Sequence, residues 1–475
     1  MINTKKHKGK ALFLYPNSEG LGGVPNGVAL LSGCLKKAGY QTRCFDTTFL
    51  NSPPLTHFQR AKHGYFLQAD HSQYWGGWKE DLPRKIPNLL VDAVTEFRPD
   101  FIAVSHVDIG FLYMGPLLKV IKNQFNIPII AGGITCTSSP SLVIANDYID
   151  AICVGEGEEA LIEFAEAVIT GEDYSNIKNL WVKKDGKIIS NPLRPLIDMD
   201  NLPFQDWSIF DERHYYKPYC GEFHRTAFIE MARGCHFNCT YCVNNTLRRM
   251  YKGLGHFIRN RSIDRTLDEI CYLKNLYKLE LIFFIDDNFL GMQEDRFNYF
   301  CAEYKKRIGL PFYIQTRSET VKESYIKKLK EINISTIAIG VESGDEEFRK
   351  KYMNRKMSNA SLQKAFDIVH KYEIRTTANI IIGMPHELEE MMGETIKLLR
   401  SLKPKSVSIN YFTPYRGIAM RDMAVKEGII SEDHVIKETN VCLDMPQFKA
   451  ERICHYYDNL KKYVEGELKF DFNLK

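Results

Sequence analysis

Short apolar runs alternate with helical patterns through the first third of the chain. Each run has the length of a strand, and the amphipathic stretches between the runs have the period of a helix. The runs lie at residues 11–15, 42–46, 101–105, 127–131 and 149–154. Strands that alternate with helices form a parallel sheet with helices on both faces. We therefore predict a doubly wound, Rossmann-type α/β domain over residues 1–175, with ligands at the carboxyl ends of its strands.

A second alternating pattern begins after residue 222. Before it, residues 177–191 predict a hairpin and the following proline-rich stretch predicts irregular chain, so residues 176–222 are assigned to a hairpin and linker. Six further apolar runs predict six β/α units over residues 223–420: they lie at 227–232, 281–286, 312–316, 334–341, 376–382 and 406–412. Residues 421–475 are charged and have a helical period, which predicts a helical C-terminal extension.

Composition narrows the class of protein. A chain of 475 residues is too long for one ordinary core, and 44% hydrophobic with 26% charged residues is typical of a soluble globular protein. The net charge of +4 is small and spread along the chain, so nucleic acid is not an expected partner. No apolar run approaches the roughly 18 residues of a membrane span. The twelve cysteines do not form a secreted disulfide pattern, and we expect the reducing cytoplasm.

Three cysteines are the strongest chemical signal. Cys235, Cys239 and Cys242 follow the apolar run at 227–232 within one short loop. Three thiolates so close together suit a cubane iron–sulfur cluster, and three ligands for four irons leave one iron open to another molecule. The alternatives are a zinc-stabilised scaffold and an electron carrier. A structural zinc site needs four ligands, and only His236 is near enough to be a fourth, while electron carriers usually ligate their cluster with four cysteines.

The spacing C-x-x-x-C-x-Tyr-C resembles that of the radical S-adenosylmethionine enzymes. The resemblance implies an open (β/α)6 partial barrel of the TIM type and a [4Fe-4S] cluster whose free iron binds S-adenosylmethionine. It also implies that cleavage of S-adenosylmethionine yields a 5′-deoxyadenosyl radical. The cofactor carries the difficult chemistry, and the protein orients it. Such an enzyme needs an external electron donor of the flavodoxin or ferredoxin type and an anaerobic or oxygen-protected setting.

The same resemblance assigns S-adenosylmethionine contacts to the strand ends of the barrel. Asp286 and Asp287 match the segment that binds the methionine amino group, and Arg317 is a candidate for its carboxylate. Glu342 and Ser343 match the ribose segment, and Gly383 matches the adenine segment, with His386 where glycine is usual. Tyr241, the aromatic residue of the cysteine motif, completes the predicted set: Tyr241, Asp286, Asp287, Arg317, Glu342, Ser343 and Gly383.

The N-terminal domain resembles the cobalamin-binding domain that precedes the barrel in one subfamily. The resemblance rests on the order of elements and on the Ala-Gly-Gly-Ile and Val-Gly-Glu-Gly-Glu stretches. It implies cobalamin contacts from Gly22, Gly23, Ser105, Gly132, Gly133, Gly155, Glu156 and Gly157. Residues 16–23 contain no histidine, and His106 follows a different strand, so no protein histidine is expected on cobalt. An aromatic-rich insertion at residues 51–82 has no assigned role.

Together these features predict a cobalamin-dependent radical S-adenosylmethionine methyltransferase that acts on an unactivated carbon of a small-molecule or natural-product substrate. A radical enzyme that cyclises, rearranges or oxidises its substrate without methylation is the alternative. A methylthiotransferase is disfavoured, because Cys34, Cys44, Cys136 and Cys153 are not arranged as a second cysteine triad. Fold resemblance does not choose the substrate.

Overall fold

The structure, a computed structural model, describes residues 7–17, 23–51, 82–105, 110–436 and 442–470. Within these ranges the chain forms two compact units. The first contains the described residues up to His214 together with Tyr251–His256. The second contains Tyr215–Met250 and the described residues from Phe257 onward.

The first unit is built from short strands and helices in alternation. Its strands are β1 (Lys10–Tyr15), β2 (Gln41–Asp46), β3 (Phe101–Ser105), β4 (Ile129–Gly132), β5 (Ala151–Cys153), β6 (Leu180–Lys184) and β7 (Lys187–Ser190). Its helices are α1 (Asn26–Lys37), α2 (Thr48–Asn51), α3 (Leu82–Phe97), α4 (Gly110–Gln124), α5 (Ile134–Ser138), α6 (Pro140–Ile144) and α7 (Ala160–Thr170), with a 3-10 turn at Met199–Asn201.

These strands form one sheet in the order β2-β1-β3-β4-β5-β6-β7. The first five are parallel, and the inner residues of β1 and β3 are buried, as expected for strands covered on both faces. The predicted doubly wound sheet is confirmed. Its strand order reverses between β1 and β3, and ligands of such sheets bind beyond the carboxyl ends at that point.

The hairpin assigned to the linker lies in the first sheet. β6 pairs antiparallel with β5, with Ile152 opposite Trp181, and β7 pairs antiparallel with β6. This pairing covers the edge of β5 that a purely parallel sheet would leave exposed. The first unit therefore extends beyond residue 175, and the chain up to His214 packs with it.

Among the described residues, the second unit has a second seven-stranded sheet and a two-stranded one. Its strands are β8 (Tyr216–Tyr219), β9 (Glu222–Ile229), β10 (Ala232–Arg233), β11 (Arg259–Asn260), β12 (Leu281–Phe284), β13 (Phe312–Thr316), β14 (Ile334–Glu342), β15 (Arg375–Ile382) and β16 (Ser406–Tyr411). Its helices are α8 (Asn244–Met250), α9 (Ile263–Tyr277), α10 (Glu294–Arg307), α11 (Glu323–Glu331), α12 (Glu346–Lys351), α13 (Asn359–Lys371), α14 (Met391–Leu402), α15 (Ala419–Lys426) and α16 (Ala450–Glu465). Further 3-10 turns lie at Glu212–Tyr215, Phe289–Gly291 and Ser318–Thr320.

Six parallel strands form the curled half-barrel in the order β16-β15-β14-β13-β12-β9, and β8 adds an antiparallel edge next to β9. The predicted partial barrel and the helices of the C-terminal extension are confirmed. A parallel barrel brings its chemistry to the carboxyl ends of the strands. None of the described helices is both long and apolar enough to cross a lipid bilayer.

Candidate functional site

The cysteine loop leaves the barrel after β9 and ends at α8. Its first turn requires glycine, because Gly234 has a φ of +90° and a Cβ there would lie 2.6 Å from the carbonyl oxygen of Phe257. Cys239 is 7% exposed, while Cys235 and Cys242 are half-buried. The Cys242 amide donates to the Cys239 carbonyl at 3.1 Å, which keeps these two residues in one turn.

Two of the three cysteines, Cys235 and Cys242, have raised thiol pKa values. Burial raises the pKa of Cys235, and it raises the pKa of Cys242 to about 11. The nearby Asp287 carboxylate adds to both shifts. Thiolates are the ligating form, so binding of a metal centre here must release protons. In the described part of the chain, no three His, Cys, Asp or Glu side chains converge as they would around a single metal ion.

The cysteine loop is hydrogen-bonded to the segment that follows α12. The Thr240 hydroxyl donates to the Tyr352 carbonyl at 2.6 Å, and the Thr240 amide donates to the Met353 carbonyl at 3.3 Å. These bonds anchor the residue between two of the cysteines to the half-barrel. The cysteines are thus presented from a fixed loop, as a metal centre requires.

Arg317 lies next to the cysteines at the carboxyl end of β13. Its Nη1 donates to the Cys239 sulfur at 3.0 Å, and its guanidinium stacks on the Phe237 ring with 3.6 Å between the guanidinium carbon and the ring centroid. Nη2 donates to Glu319 at 2.5 Å. The sequence makes Arg317 a candidate for the methionine carboxylate, and that contact stays a prediction. In the structure this buried side chain supplies positive charge to a cysteine sulfur.

Tyr241 and Glu342 share one buried arginine, Arg355. Arg355 Nη1 donates to the Tyr241 hydroxyl at 2.9 Å and lies 3.4 Å from Glu342 Oε1. Burial raises the pKa of Glu342 and Arg355 opposes that shift; burial also holds the pKa of Tyr241 well above its usual range. Sequence reasoning missed Arg355, because no motif marks it and its role depends on contacts between distant parts of the chain.

A bulge in β14 aims Glu342. The register with β15 shifts between Gly340 and Glu342, and Glu342 has a φ of +68°, which is unusual for a residue with a Cβ. A Cβ at Gly340 would lie 2.4 Å from Glu342 Oε1, so glycine makes room for the carboxylate. The adjacent Ser343 is buried, and its carbonyl accepts a hydrogen bond from Arg349 Nη1 at 2.5 Å. Strain at a strand end is a common mark of a functional position.

The two adjacent aspartates after β12 have different surroundings. Asp286 is 4% exposed, and its Oδ1 accepts hydrogen bonds from the amides of Met231, at 3.0 Å, and Ala232. Its Oδ2 is buried without a hydrogen-bond partner among the described residues. Burial raises the pKa of Asp286 to about 8. Asp287 is solvent-accessible, although the surrounding protein desolvates its carboxylate enough to raise its pKa.

The loop after β15 is organised by a buried acid that sequence reasoning missed. Glu387 Oε2 accepts hydrogen bonds from the amides of Gly383, at 2.6 Å, and Met384, at 3.0 Å. Burial raises the pKa of Glu387 to about 7, against the effect of these two bonds. Gly383 has a φ of +82° and His386 one of +64°. The sequence signal that could have identified Glu387 is its position four residues after Gly383, in the predicted adenine segment.

In the first unit, the described residues leave Gly132, at the carboxyl end of β4, uncovered. A Cβ at Gly132 would meet nothing within 4 Å, and Gly133 adopts a φ of +118° before α5 begins. The Thr135 hydroxyl in α5 is buried without a hydrogen-bond partner among the described residues. Ser105, at the end of the neighbouring β3, lies opposite Gly132 and is half-buried. These groups leave space and unused hydrogen-bonding capacity for a ligand.

The loop after β5 is engaged by the protein itself. Gly155 has a φ of +83°, and a Cβ there would lie 2.0 Å from the Tyr251 hydroxyl oxygen. That oxygen accepts a hydrogen bond from the Glu156 amide at 2.8 Å, and the Glu156 carboxylate accepts one from the Ile197 amide at 3.0 Å. A Cβ at Gly157 would lie 3.5 Å from the Cys153 sulfur. The structure therefore gives Gly155 and Glu156 protein partners, and their predicted cofactor contact stays a prediction.

Some predicted positions fall outside the described residues: Gly22, His106 and residues 52–81 of the aromatic insertion. Gly23 is described and half-buried.

Two family descriptions match the chain. Residues 229–399 match the radical SAM superfamily, and residues 80–165 match the B12 binding domain. The first range runs from the end of β9 through the cysteine loop into α14, and the second runs from α3 into the middle of α7 in the first unit.

Curated relatives and a solved structure extend the comparison. An uncharacterized methyltransferase of Pyrococcus horikoshii is 24% identical over 372 residues, which are 77% of this chain and 78% of the relative. Anaerobic magnesium-protoporphyrin IX monomethyl ester cyclase of Cereibacter sphaeroides is 26% identical over 86% of this chain and 62% of its own length. The radical S-adenosylmethionine methyltransferase TsrM of Kitasatospora setae, solved with cobalamin and a [4Fe-4S] cluster, has a TM-score of 0.66 at 15% identity, covering 96% of this chain and 81% of that one. The solved structure shows a shared fold.

Proposed function

We propose that this chain, which belongs to the radical S-adenosylmethionine enzymes that carry a B12-binding domain, methylates an unactivated carbon of a small-molecule or natural-product substrate. When bound, the [4Fe-4S] cluster and S-adenosylmethionine supply a 5′-deoxyadenosyl radical, and cobalamin supplies the methyl group. The observation that carries the proposal is the three-cysteine loop beside Arg317, on a chain that also contains a doubly wound unit with an open strand end.

The donor set fits an iron–sulfur cluster. Cys235, Cys239 and Cys242 would each hold one iron, and the fourth iron would be left for S-adenosylmethionine. The Arg317 guanidinium, already 3.0 Å from the Cys239 sulfur, would stabilise that thiolate by a charge-assisted hydrogen bond. Tyr241 would act by positioning, because its hydroxyl is held by Arg355.

Groups at the carboxyl ends of the barrel strands would bind the ammonium, the ribose and the adenine of S-adenosylmethionine. Asp287 is the accessible carboxylate and would accept from the methionine ammonium, while Asp286 would hold the chain that leads into the cysteine loop. Glu342 is aimed by the bulge in β14 and would accept from the ribose hydroxyls. Gly383, in the loop shaped by Glu387, would let adenine approach the backbone.

Cobalamin would bind at the carboxyl edge of the first sheet. Gly132 and Gly133 would admit the corrin ring, and the unused Thr135 hydroxyl, with Ser105 beside it, would hydrogen-bond the cofactor. Residues 16–23 contain no histidine, so the protein would bind cobalamin without a histidine from that loop on cobalt. An absorbance spectrum unaffected by substitution of His106 would be consistent with this arrangement.

One curated relative and one solved structure, both named as methyltransferases, support methyl transfer. The Pyrococcus horikoshii relative is named a methyltransferase, and TsrM, which shares the fold, is a methyltransferase solved with cobalamin and a cluster. The cyclase relative favours one alternative, a radical reaction that closes a ring without methylation.

The deciding experiment is anaerobic reconstitution with iron, sulfide, a reductant and S-adenosylmethionine, with and without cobalamin. Formation of 5′-deoxyadenosine tests the radical chemistry, and S-adenosylhomocysteine formed only with cobalamin tests methyl transfer. A Cys239→Ser variant should lose both products. Formation of 5′-deoxyadenosine without S-adenosylhomocysteine under every condition would favour the alternative, and bound zinc without acid-labile sulfide would exclude both enzymatic functions.

A further inference from the structure

Thr240, the residue that follows Cys239, uses all of its hydrogen-bonding groups. Its hydroxyl donates to the Tyr352 carbonyl at 2.6 Å, and its amide donates to the Met353 carbonyl at 3.3 Å. Its own carbonyl accepts from the Met420 amide at 3.0 Å, in the first turn of α15, where helix amides have no partner within the helix. The cysteine loop is therefore held by two separate segments, the chain after α12 and the start of α15.

His386 links these two segments to each other. Its ring stacks on the Tyr352 ring, with 4.3 Å between the centroids and 21° between the planes. Its Nε2 lies 2.6 Å from Oε1 of Glu427, the residue that directly follows α15. Since Glu427 and Met420 lie at opposite ends of α15, these contacts close into a ring that begins and ends at Thr240. We call His386, Tyr352 and Glu427 the clamp.

Stability of the fold does not explain a histidine at position 386. The φ of His386 is +64°, a value at which a residue with a Cβ is strained. The side chains of His386 and Glu427 are 32% and 35% exposed, and ion pairs of such exposure contribute little to the free energy of folding. A cavity of about 520 Å³ borders both residues and Tyr352, so close packing does not hold the clamp on that side.

His386 also belongs to the segment predicted to receive adenine. This segment runs from Gly383 to Glu387 and is bonded to itself at three places. Glu387 Oε2 accepts from the amides of Gly383, at 2.6 Å, and Met384, at 3.0 Å, and the Glu387 amide donates to the Met384 carbonyl at 3.0 Å. The segment is therefore one compact turn, and a ligand that orders Gly383 also orders His386.

We propose that His386 is a positioning residue that couples S-adenosylmethionine bound at the Gly383 segment to the cysteine loop. The inference rests on the proposed function, because it takes Gly383 as the adenine contact and the cysteine loop as the cluster site. With adenine on the segment, His386 would be held against Tyr352, and Tyr352 would hold Thr240. Coupling between two sites is reciprocal, so an ordered cysteine loop would in turn raise the affinity for S-adenosylmethionine.

The test compares the full-length wild type with His386→Ala, Glu427→Ala, the double variant and His386→Phe, which keeps a ring for stacking. Lys371→Ala is the control, because Lys371 also forms an ion pair between two elements, at 2.5 Å to Glu323 of α11. Hydrogen–deuterium exchange of the cluster-free proteins is followed in the peptide of residues 235–242. The peptide of α9, residues 263–277, is the internal reference.

In His386→Ala, the 235–242 peptide should exchange roughly fivefold faster than in wild type, while the α9 peptide should exchange at the wild-type rate. The double variant should exchange no faster than either single variant, because both substitutions break one series of contacts. His386→Phe should lie between wild type and His386→Ala, and Lys371→Ala should match wild type.

A second measurement uses the reconstituted proteins and separates coupling from a purely structural role. Electron paramagnetic resonance of the reduced cluster is recorded as S-adenosylmethionine is added. The midpoint concentration of the spectral change should be roughly fivefold or more higher in His386→Ala than in wild type, and unchanged in Lys371→Ala. A residue that only supports the fold would leave this midpoint unchanged.

Equal exchange of the 235–242 peptide in wild type and His386→Ala would overturn the coupling. Additive effects of the two alanine substitutions, or equal midpoints, would also overturn it. If His386→Ala accelerates the α9 peptide as well, His386→Phe decides: loop exchange near the wild-type rate supports the stack on Tyr352, and exchange as fast as in Glu427→Ala refutes it. A chain that assembles no cluster fails the proposed function, whereas exchange of the cluster-free protein still tests the clamp.

Discussion

Arg317 points its guanidinium at the sulfur of Cys239, with 3.0 Å between Nη1 and Sγ. The contact joins the end of β13 to the middle cysteine of the loop, and the Phe237 ring covers the guanidinium from one side. A fixed positive charge at one sulfur affects both the stability of a thiolate and the ease with which a bound cluster accepts an electron.

Replacement of Arg317 by glutamine should lower the reduction potential of the cluster. A hydrogen bond to a charged group contributes about 1.5 kcal/mol or more, which corresponds to a shift on the order of 60 mV for a one-electron couple. A redox titration followed by electron paramagnetic resonance measures the shift. Arg317→Lys, which keeps the charge, should retain most of the potential, and equal potentials for wild type and the glutamine variant would contradict this role.

Asp286 should make the protein less stable as pH rises. Its pKa is about 8 in the folded protein because of burial, against an ordinary value of 3.8. Between these values the folded protein holds a proton that the unfolded chain releases, so stability falls on going from about pH 4 to pH 8. The change is on the order of a few kcal/mol. Asp286→Asn resembles the protonated acid, so a plot of urea midpoint against pH should be flatter for this variant between about pH 4 and pH 8. An unchanged slope would contradict the assignment of this pH dependence to Asp286.

The buried Glu342 carboxylate should require the Arg355 cation for its stability in the folded protein. Removing the cation in Arg355→Leu leaves a buried carboxylate without its partner, which destabilises a protein by about 3 kcal/mol or more. The double variant Glu342→Gln/Arg355→Leu should recover part of that loss, because no buried charge then remains unpaired. Thermal melting of the four proteins in this cycle measures the coupling. Strictly additive effects would mean that the 3.4 Å contact contributes no coupling.

Gly155 and Gly171 form a matched pair of glycines with positive φ. At Gly171, φ is +73° and a Cβ would meet nothing within 4 Å, so Gly171→Ala should cost only about 1 kcal/mol of backbone strain. At Gly155 the Tyr251 hydroxyl also occupies the space of the new Cβ, so Gly155→Ala should lower the melting temperature considerably more. Equal shifts for the two variants would show that Tyr251 does not require the glycine.

Cys442 and Cys454 should form a disulfide under mild oxidation. Their sulfurs are 3.4 Å apart in the C-terminal extension, where Cys442 is buried beside α16. Diamide treatment of the cluster-free protein, followed by non-reducing digestion, should yield a linked peptide lighter by two hydrogens than its parts. Cys454→Ser should abolish that peptide, and its absence from oxidised wild type would refute the prediction.

The two alternating β/α patterns and the three-cysteine loop are predictable from the sequence, because both are local. Burial of a parallel strand requires a continuous apolar run, and the three cysteines lie within one short loop, so neither depends on distant contacts. The predicted strands of both sheets are observed within a few residues, and the largest shift is at β9, predicted over 227–232 and observed at Glu222–Ile229.

Which polar groups hold the protein together depends on the tertiary structure. In the folded protein, Asp286 accepts a hydrogen bond from the Met231 amide, and Arg317 donates to the Cys239 sulfur. The Tyr251 hydroxyl accepts from the Glu156 amide in the turn after β5. The fold also pairs the 180–190 hairpin with β5. Each of these depends on contacts between residues far apart in the chain, and a buried polar group takes whichever partner the packing brings within hydrogen-bond distance.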